Sequence, residues 1–252
     1  MFAAMLLALV VFSGVALAVT KSCEALVECF GTRKADTLNG SEGRDFMFGK
    51  GRGDTLNGLA DSDLLYGQGG ADKLFGGPGL DSMTGGPAND ALSGGEDADS
   101  YYFGDGWGKD SLADGATDGN MVFFVKGPEQ DQQVPVTANL TIKLISGEGP
   151  EVKNASGTNT IEWEAHAIAH VLSGTGDDHI SGNASANTIA STAGGADTIS
   201  TGGGDDVINV VDHSEDDVVD CGETLFNNSD NDTVSYDSGD QIAPNCETQL
   251  AF

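Results

Sequence analysis

Aspartate occupies every ninth position from Asp36 to Asp99: Asp36, Asp45, Asp54, Asp63, Asp72, Asp81, Asp90 and Asp99, without a gap. A carboxylate offers hard oxygen donors, so a regular ladder of them suits ligation of a hard cation. Two more columns share the period. Glycine stands five residues before each aspartate, at Gly31, Gly40, Gly49, Gly58, Gly67, Gly76, Gly85 and Gly94. Two residues after each comes one large apolar side chain: Leu38, Met47, Leu56, Leu65, Leu74, Met83, Leu92 and Tyr101. Aspartate is common in tight turns for its own sake, which explains one such turn well and eight in register badly.

A period of nine is the signature of a parallel β-roll built from nonapeptides. The glycine-rich half of each nonapeptide makes a turn, the second half a short strand, and two nonapeptides close one flattened coil. Counting from the glycine, alternation along the strand sends positions six and eight to one face and position seven to the other. Glycine serves the turn because some positions need positive φ and others need the backbone to approach closely. Turn carbonyls and the aspartate then face a gap shared with the next coil on the same side. Calcium fits a gap lined only by oxygen, since it takes about six to eight oxygen ligands in loose geometry. Magnesium demands a tighter octahedron and holds its waters, and zinc calls for nitrogen or sulfur.

The repeats are not equivalent. Glycine fills positions one, two and four only in Gly76-Gly77-Pro78-Gly79-Leu80-Asp81. The turns starting at Gly67, at Gly85-Gly86 and at Gly94-Gly95 come close, whereas Lys34, Arg52 and Leu59 stand where glycine is usual. The tightest sites are therefore expected over residues 67–99, with weaker or empty ones near Asp36 and Asp54. Candidate ligands are the eight aspartates with the turn residues Gly67, Gly76, Gly77, Gly79, Gly85 and Gly86. A second, looser array runs through Asp178, Asn187, Asp197, Asp206 and Asp217, with Ile180, Ile189, Ile199, Ile208 and Val219 as apolar partners. Its spacings of nine, ten, nine and eleven drift; Asp178, Asp197, Asp206 and Asp217 are further candidate ligands. One or two more turns are expected around Asp232-Thr233-Val234.

These residues resemble the RTX family, the haemolysin-type calcium-binding repeat proteins, whose pattern Gly-Gly-x-Gly-x-Asp-x-apolar-x covers most of 31–103 and much of 173–220. The tail, with Val219-Asp220-Cys221-Gly222 and Asn245-Cys246-Glu247, looks like the C-terminal cap of small secreted calcium-binding proteins of high-GC Gram-positive bacteria. The resemblance implies calcium held by the position-six aspartates and turn carbonyls, and an array that folds when it meets external calcium. Many relatives leave the cell under a C-terminal signal, whereas an N-terminal one is expected here.

Charge points the same way. The net charge is −29, and after Lys153 there is no Lys or Arg but eighteen Asp and Glu. Like charges at this density oppose compaction, so divalent cations are the natural counterpart. Nucleic acid and anionic membrane surfaces would be repelled. The apolar run from Met1 to Val19 ends in Ala16-Leu17-Ala18, a small-x-small pattern that fits signal-peptide cleavage after Ala18. No basic residue precedes that run, and an uncleaved membrane anchor is the rival reading. No further span follows the leader, so the rest of the chain is expected outside the cytosol. Four cysteines allow three pairings; the local one, Cys23 with Cys29 and Cys221 with Cys246, is favoured because the pairs lie at opposite ends of a rod.

Catalysis finds little support. There is no His-Glu-x-x-His and no serine elbow, and His179 and His213 fall at exposed repeat positions. His166 and His170 could share one face of a short helix over 164–171, without an evident third ligand. A secreted hydrolase or toxin-related protein with its site in residues 104–172 is the alternative to a non-enzymatic binding module. Phe46, Phe48, Tyr66, Phe75 and Tyr102 fall at outward or strand-edge positions, either as a strip for an extracellular or cell-surface protein or glycan, or packed on neighbouring strands. The expected architecture is all-β: a parallel β-roll (β-solenoid) in two arrays. It divides into a leader (1–18), an N-terminal cap (19–30), the first array (31–103), a strand-rich insert (104–172), the second array (173–220) and a C-terminal cap (221–252).

Overall fold

The computed structural model describes residues 18–104, 107–113, 120–124, 140–143, 151–154, 160–163, 170–174, 177–183, 185–213, 216–222 and 230–252. The leader expected over 1–18 lies outside them except for Ala18. Among the described residues there is no helix, and none long and apolar enough to cross a membrane.

Strands alternate between two parallel sheets that face each other across a thin core. Among the described residues one sheet has thirteen strands, from Thr20–Ser22 to Gln241–Ile242, and the other eleven, from Glu28–Phe30 to Thr248–Ala251. Each coil is eighteen residues long in the first array, pairing Thr37 with Thr55 and Thr55 with Lys73. The nonapeptide period therefore becomes a β-solenoid, as the glycine and aspartate columns require.

Position eight forms the core. Leu38, Leu56, Leu74 and Leu92 stack in one sheet, Met47, Leu65, Met83 and Tyr101 in the other, and none is more than 1% exposed. Ile180, Ile199 and Val219 continue the first column, and Ile189, Ile208 and Val234 the second. Each buried aliphatic contributes about 1.5–3 kcal/mol. Every coil has so few of them that stability must accumulate by stacking.

The two arrays share both sheets. Strand Lys109–Leu112 extends the first sheet beyond Ala91–Glu96, and Met121–Phe123 and His170–Leu172 carry the second sheet across to Thr188–Ala190. The extra two strands of the larger sheet belong to an antiparallel meander, Leu140–Lys143, Glu151–Asn154 and Thr160–Trp163, set between Lys109–Leu112 and His179–Ser181. The strands expected at 121–125, 139–144 and 160–163 are thus present within these bounds. The helix considered over 164–171 falls outside the described residues except at His170 and Val171, which are in a strand instead; their backbone continues the parallel ladder.

Disulfides Cys23–Cys29 and Cys221–Cys246 staple the two ends, in the local pairing. The turn expected at Asp232-Thr233-Val234 is also there, followed by two more strands, Gln241–Ile242 and Thr248–Ala251.

Candidate metal sites in the turns

The aspartates form a ladder along each edge of the solenoid. The N–H of Asp36 donates to Oδ1 of Asp54 one coil on, at 2.7 Å, and Asp54 does the same to Asp72, Asp72 to Asp90 and Asp90 to Asp110. On the opposite edge the series runs Asp45, Asp63, Asp81, Asp99 and Asn120. The second array repeats the bond from Asp178 to Asp197 to Asp217, and from Asn187 to Asp206 to Asp232. Every aspartate expected to be a ligand is buried in this ladder. Asp110 and Asn120 are not among the candidate ligands read from the sequence and lie in the segment assigned to the insert. Leu112 and Val122, each two residues on, were the available signal, hidden by turns that lengthen the coils to twenty and twenty-one residues.

Oδ1 is thus engaged, and Oδ2 is the informative atom. In Asp54, Asp63, Asp72, Asp90, Asp110, Asp217 and Asp232 it is buried and accepts no hydrogen bond. Burial pushes these carboxyls up, to about 6 in Asp54 and Asp90 and about 7 in Asp63 and Asp72. The N–H of the preceding aspartate pulls each back, and for Asp54, Asp63 and Asp72 repulsion from neighbouring carboxylates adds to the rise. Asp110 reaches about 8 for the same reasons. A row of buried acceptors, short of donors and repelling one another, is satisfied by a cation.

Position-one glycines make room for it. A Cβ on Gly49, Gly58, Gly67 or Gly76 would come within 3.0 Å of both Oδ2 of its own aspartate and the carbonyl oxygen of the next coil's position-one glycine. These glycines are required for space, since none of them has a positive φ. Positive φ belongs to positions two and four, as in Gly77 at 121° and Gly79 at 140°. There the backbone is left-handed and lies against the carbonyls of Leu59 and Asp61 in the previous coil. Lys50, Arg52, Leu59, Asp61 and Gln68 take the same conformation without being glycine, so six consecutive turns, from Gly49 to Asp99, share one backbone form.

The two leading turns are built differently. Thr32 donates its N–H and hydroxyl to Oδ2 of Asp36, and Ser41 does so to Asp45. No positive φ occurs in either turn. In Asp36 both oxygens are engaged, because Val19 N–H reaches Oδ1. Asp54, by contrast, has the turn form and the open Oδ2 of Asp72.

In the second array the turn 201–206 has the later form, with Gly202 at 102° and Gly204 at 99°. The turn 182–187 is closed by Asn183, whose N–H donates to Asn187. Ser191, where glycine would stand, donates its hydroxyl to Oδ2 of Asp197. Between the arrays, Phe103 and Phe124 fill position one and pack with Trp107, with ring centroids 5.7–6.4 Å apart. Aromatic carbon there stands where the other turns have a position-one glycine, although Asp110 in the same stretch keeps its open Oδ2.

Oxygen-only donors, open buried carboxylate atoms and a cradle that a Cβ would fill agree with a hard cation. The family model of the RTX calcium-binding nonapeptide repeat (4 copies) matches residues 30–51, 48–83, 75–106, 170–194 and 191–210. The chain carries RTX calcium-binding repeats. No curated protein matches it. The matched RTX segments include both turn forms, so the family pattern does not distinguish the hydroxyl-closed turns from the open ones. Residues fit to hold the ion are Asp54, Asp63, Asp72, Asp81, Asp90 and Asp99 with the carbonyls of their turns.

The outward aromatics pack on their neighbours. Phe30, Phe48 and Tyr66 stack in a row at 5.0 and 5.2 Å, and Tyr102 stacks on Phe123 at 4.8 Å. Arg44 covers Phe46, while Phe75 is 43% exposed. Where the alternative site was expected, the outer face of the smaller sheet carries an apolar depression of about 350 Å³ between Met121–Phe123, His170–Leu172 and Thr188–Ala190. Its one titratable side chain among the described residues is His170, whose pKa burial lowers. His179 and His213 are exposed.

Proposed function

We propose that the protein is a secreted, calcium-binding repeat scaffold or adhesive module whose solenoid folds on binding Ca²⁺ between adjacent coils. The observation that carries this reading is the ladder of buried Oδ2 atoms without a hydrogen-bond donor at Asp54, Asp63, Asp72 and Asp90, in turns that share one backbone form. Ion and fold are then coupled, because metal that binds only the folded chain stabilises it by mass action. Extracellular calcium modules commonly bind with Kd of about 10⁻⁴–10⁻³ M, so such a chain stays unfolded in calcium-poor cytosol and folds outside.

Two disulfides and no free cysteine support an oxidising compartment, and the reading takes the leader to be cleaved after Ala18. The stiff rod with stapled ends suits a scaffold. Phe75, exposed beside a regular array, is the place to seek a protein or glycan contact. The ligands assigned are the register aspartates of both arrays with the turn glycines Gly67, Gly76, Gly77, Gly79, Gly85 and Gly86.

The test is far-UV circular dichroism of the purified chain during a calcium titration, with magnesium as control. A cooperative gain of β signal near millimolar calcium, absent with magnesium, is expected. Full structure in chelator, unaltered by calcium, overturns the proposal.

A further inference from the structure

The turn that ends at Asp217 holds an acid that the repeat does not call for. Asp206 and Asp217 are eleven residues apart instead of nine, and the longer turn brings in Asp212, which lies outside the aspartate register. The N–H groups of Asp212 and His213 both donate to Oδ2 of Asp237, at 3.1 and 2.6 Å, which pins the peptide in place. As a result Asp197, Asp212 and Asp217 each present one carboxylate oxygen to a common spot, all three within 4.8 Å of one another.

Two independent observations bear on what belongs there. Oδ2 of Asp217 is buried and accepts no hydrogen bond, in a side chain with 0% exposure. No Lys or Arg occurs anywhere after Lys153, so this part of the chain brings no Lys or Arg counter-charge of its own to these acids. His213, on the same turn, stands 3.8 Å from Asp237 and is largely exposed.

We propose that Asp197, Asp212 and Asp217 form a cation site made of three side-chain carboxylates, distinct in donor set from the carbonyl-and-aspartate gaps of the first array. It rests on the reading of the register aspartates as cation ligands, since Asp197 and Asp217 are two of them. More ligand charge raises affinity for calcium. This site therefore fills before the first array and takes trivalent lanthanide ions still more tightly. Ser191 tunes it: its hydroxyl, by donating to Asp197 Oδ2, competes with the ion for that oxygen.

Isothermal titration of the full chain with Ca²⁺ and with La³⁺ tests the assignment. Wild type is expected to show one tight ion followed by a weaker cooperative set. Asp212→Asn, which keeps shape and removes one charge, should weaken the tight step by about tenfold and leave the weaker set unchanged. Ser191→Ala should strengthen the tight step. Asp72→Asn should do the reverse of Asp212→Asn, altering the weaker set alone. An Asp212→Asn protein that binds both ions as wild type does, while Asp72→Asn is impaired, overturns this site and leaves the first-array reading standing. A wild-type chain that binds neither ion overturns both.

Discussion

The turns between Gly49 and Asp99 and the stretch from Phe103 to Phe124 solve one problem in opposite ways. Both lie on the same coils-in-register ladder, and in both an aspartate or asparagine at position six is buried and bonded to its predecessor. In the first region position one is glycine, and the space it leaves meets a buried carboxylate oxygen, bare at Asp54, Asp63, Asp72 and Asp90. In the second, Phe103 and Phe124 occupy position one, and with Trp107 they fill the turn with aromatic carbon. A solenoid turn can thus be closed by an ion or by a hydrophobic plug. The plugged stretch still keeps one open acid, since Oδ2 of Asp110 is buried there without a hydrogen-bond donor.

Calcium removal should separate the two most sharply. In chelator, amide hydrogen exchange is expected to lose protection through residues 49–99 while Met121–Phe123 and His170–Leu172 retain it. Equal loss in both regions would mean that the aromatic coils do not stand alone. Next in size, Phe124→Ala empties a site of 0% exposure and should cost about 3–5 kcal/mol of stability in calcium, with the number of bound ions unchanged by titration.

Gly67→Ala inserts a methyl group against Asp72 Oδ2 and the Gly85 carbonyl. Overpacking of this kind costs about 1–3 kcal/mol, and here the loss should appear together with weaker calcium binding. Calcium affinity equal to wild type would contradict the position of the ion beside Oδ2. The smallest effect is expected at Thr32→Val, which removes one hydroxyl donor from Asp36. About 1 kcal/mol of stability should be lost in denaturant melts, with calcium stoichiometry unaltered. A lost ion would show that the leading turn also binds metal.

Much of the ladder was legible because period nine maps one-to-one onto structure wherever coil length is constant. Asp36 to Asp99 and Leu38 to Tyr101 could be placed by counting alone. Asp110, Asn120 and Asp212 could not, since a solenoid constrains the register of its strands and leaves turn length free. Residues 104–172 looked like an interruption for that reason, although strands at Lys109–Leu112, Met121–Phe123 and His170–Leu172 carry the sheets through.

The amino-acid sequence by itself determined the coil, its inward apolar column and its acidic edge. Each of these follows from side-chain alternation and from the room that glycine leaves. Tertiary structure alone decided which aspartates keep an open oxygen. That depends on whether a neighbour such as Thr32, Ser41 or Ser191 reaches Oδ2, and on where turns of unequal length bring distant carboxylates together. Hydrogen bonding acts over about 3 Å, a distance that spacing along the chain does not encode.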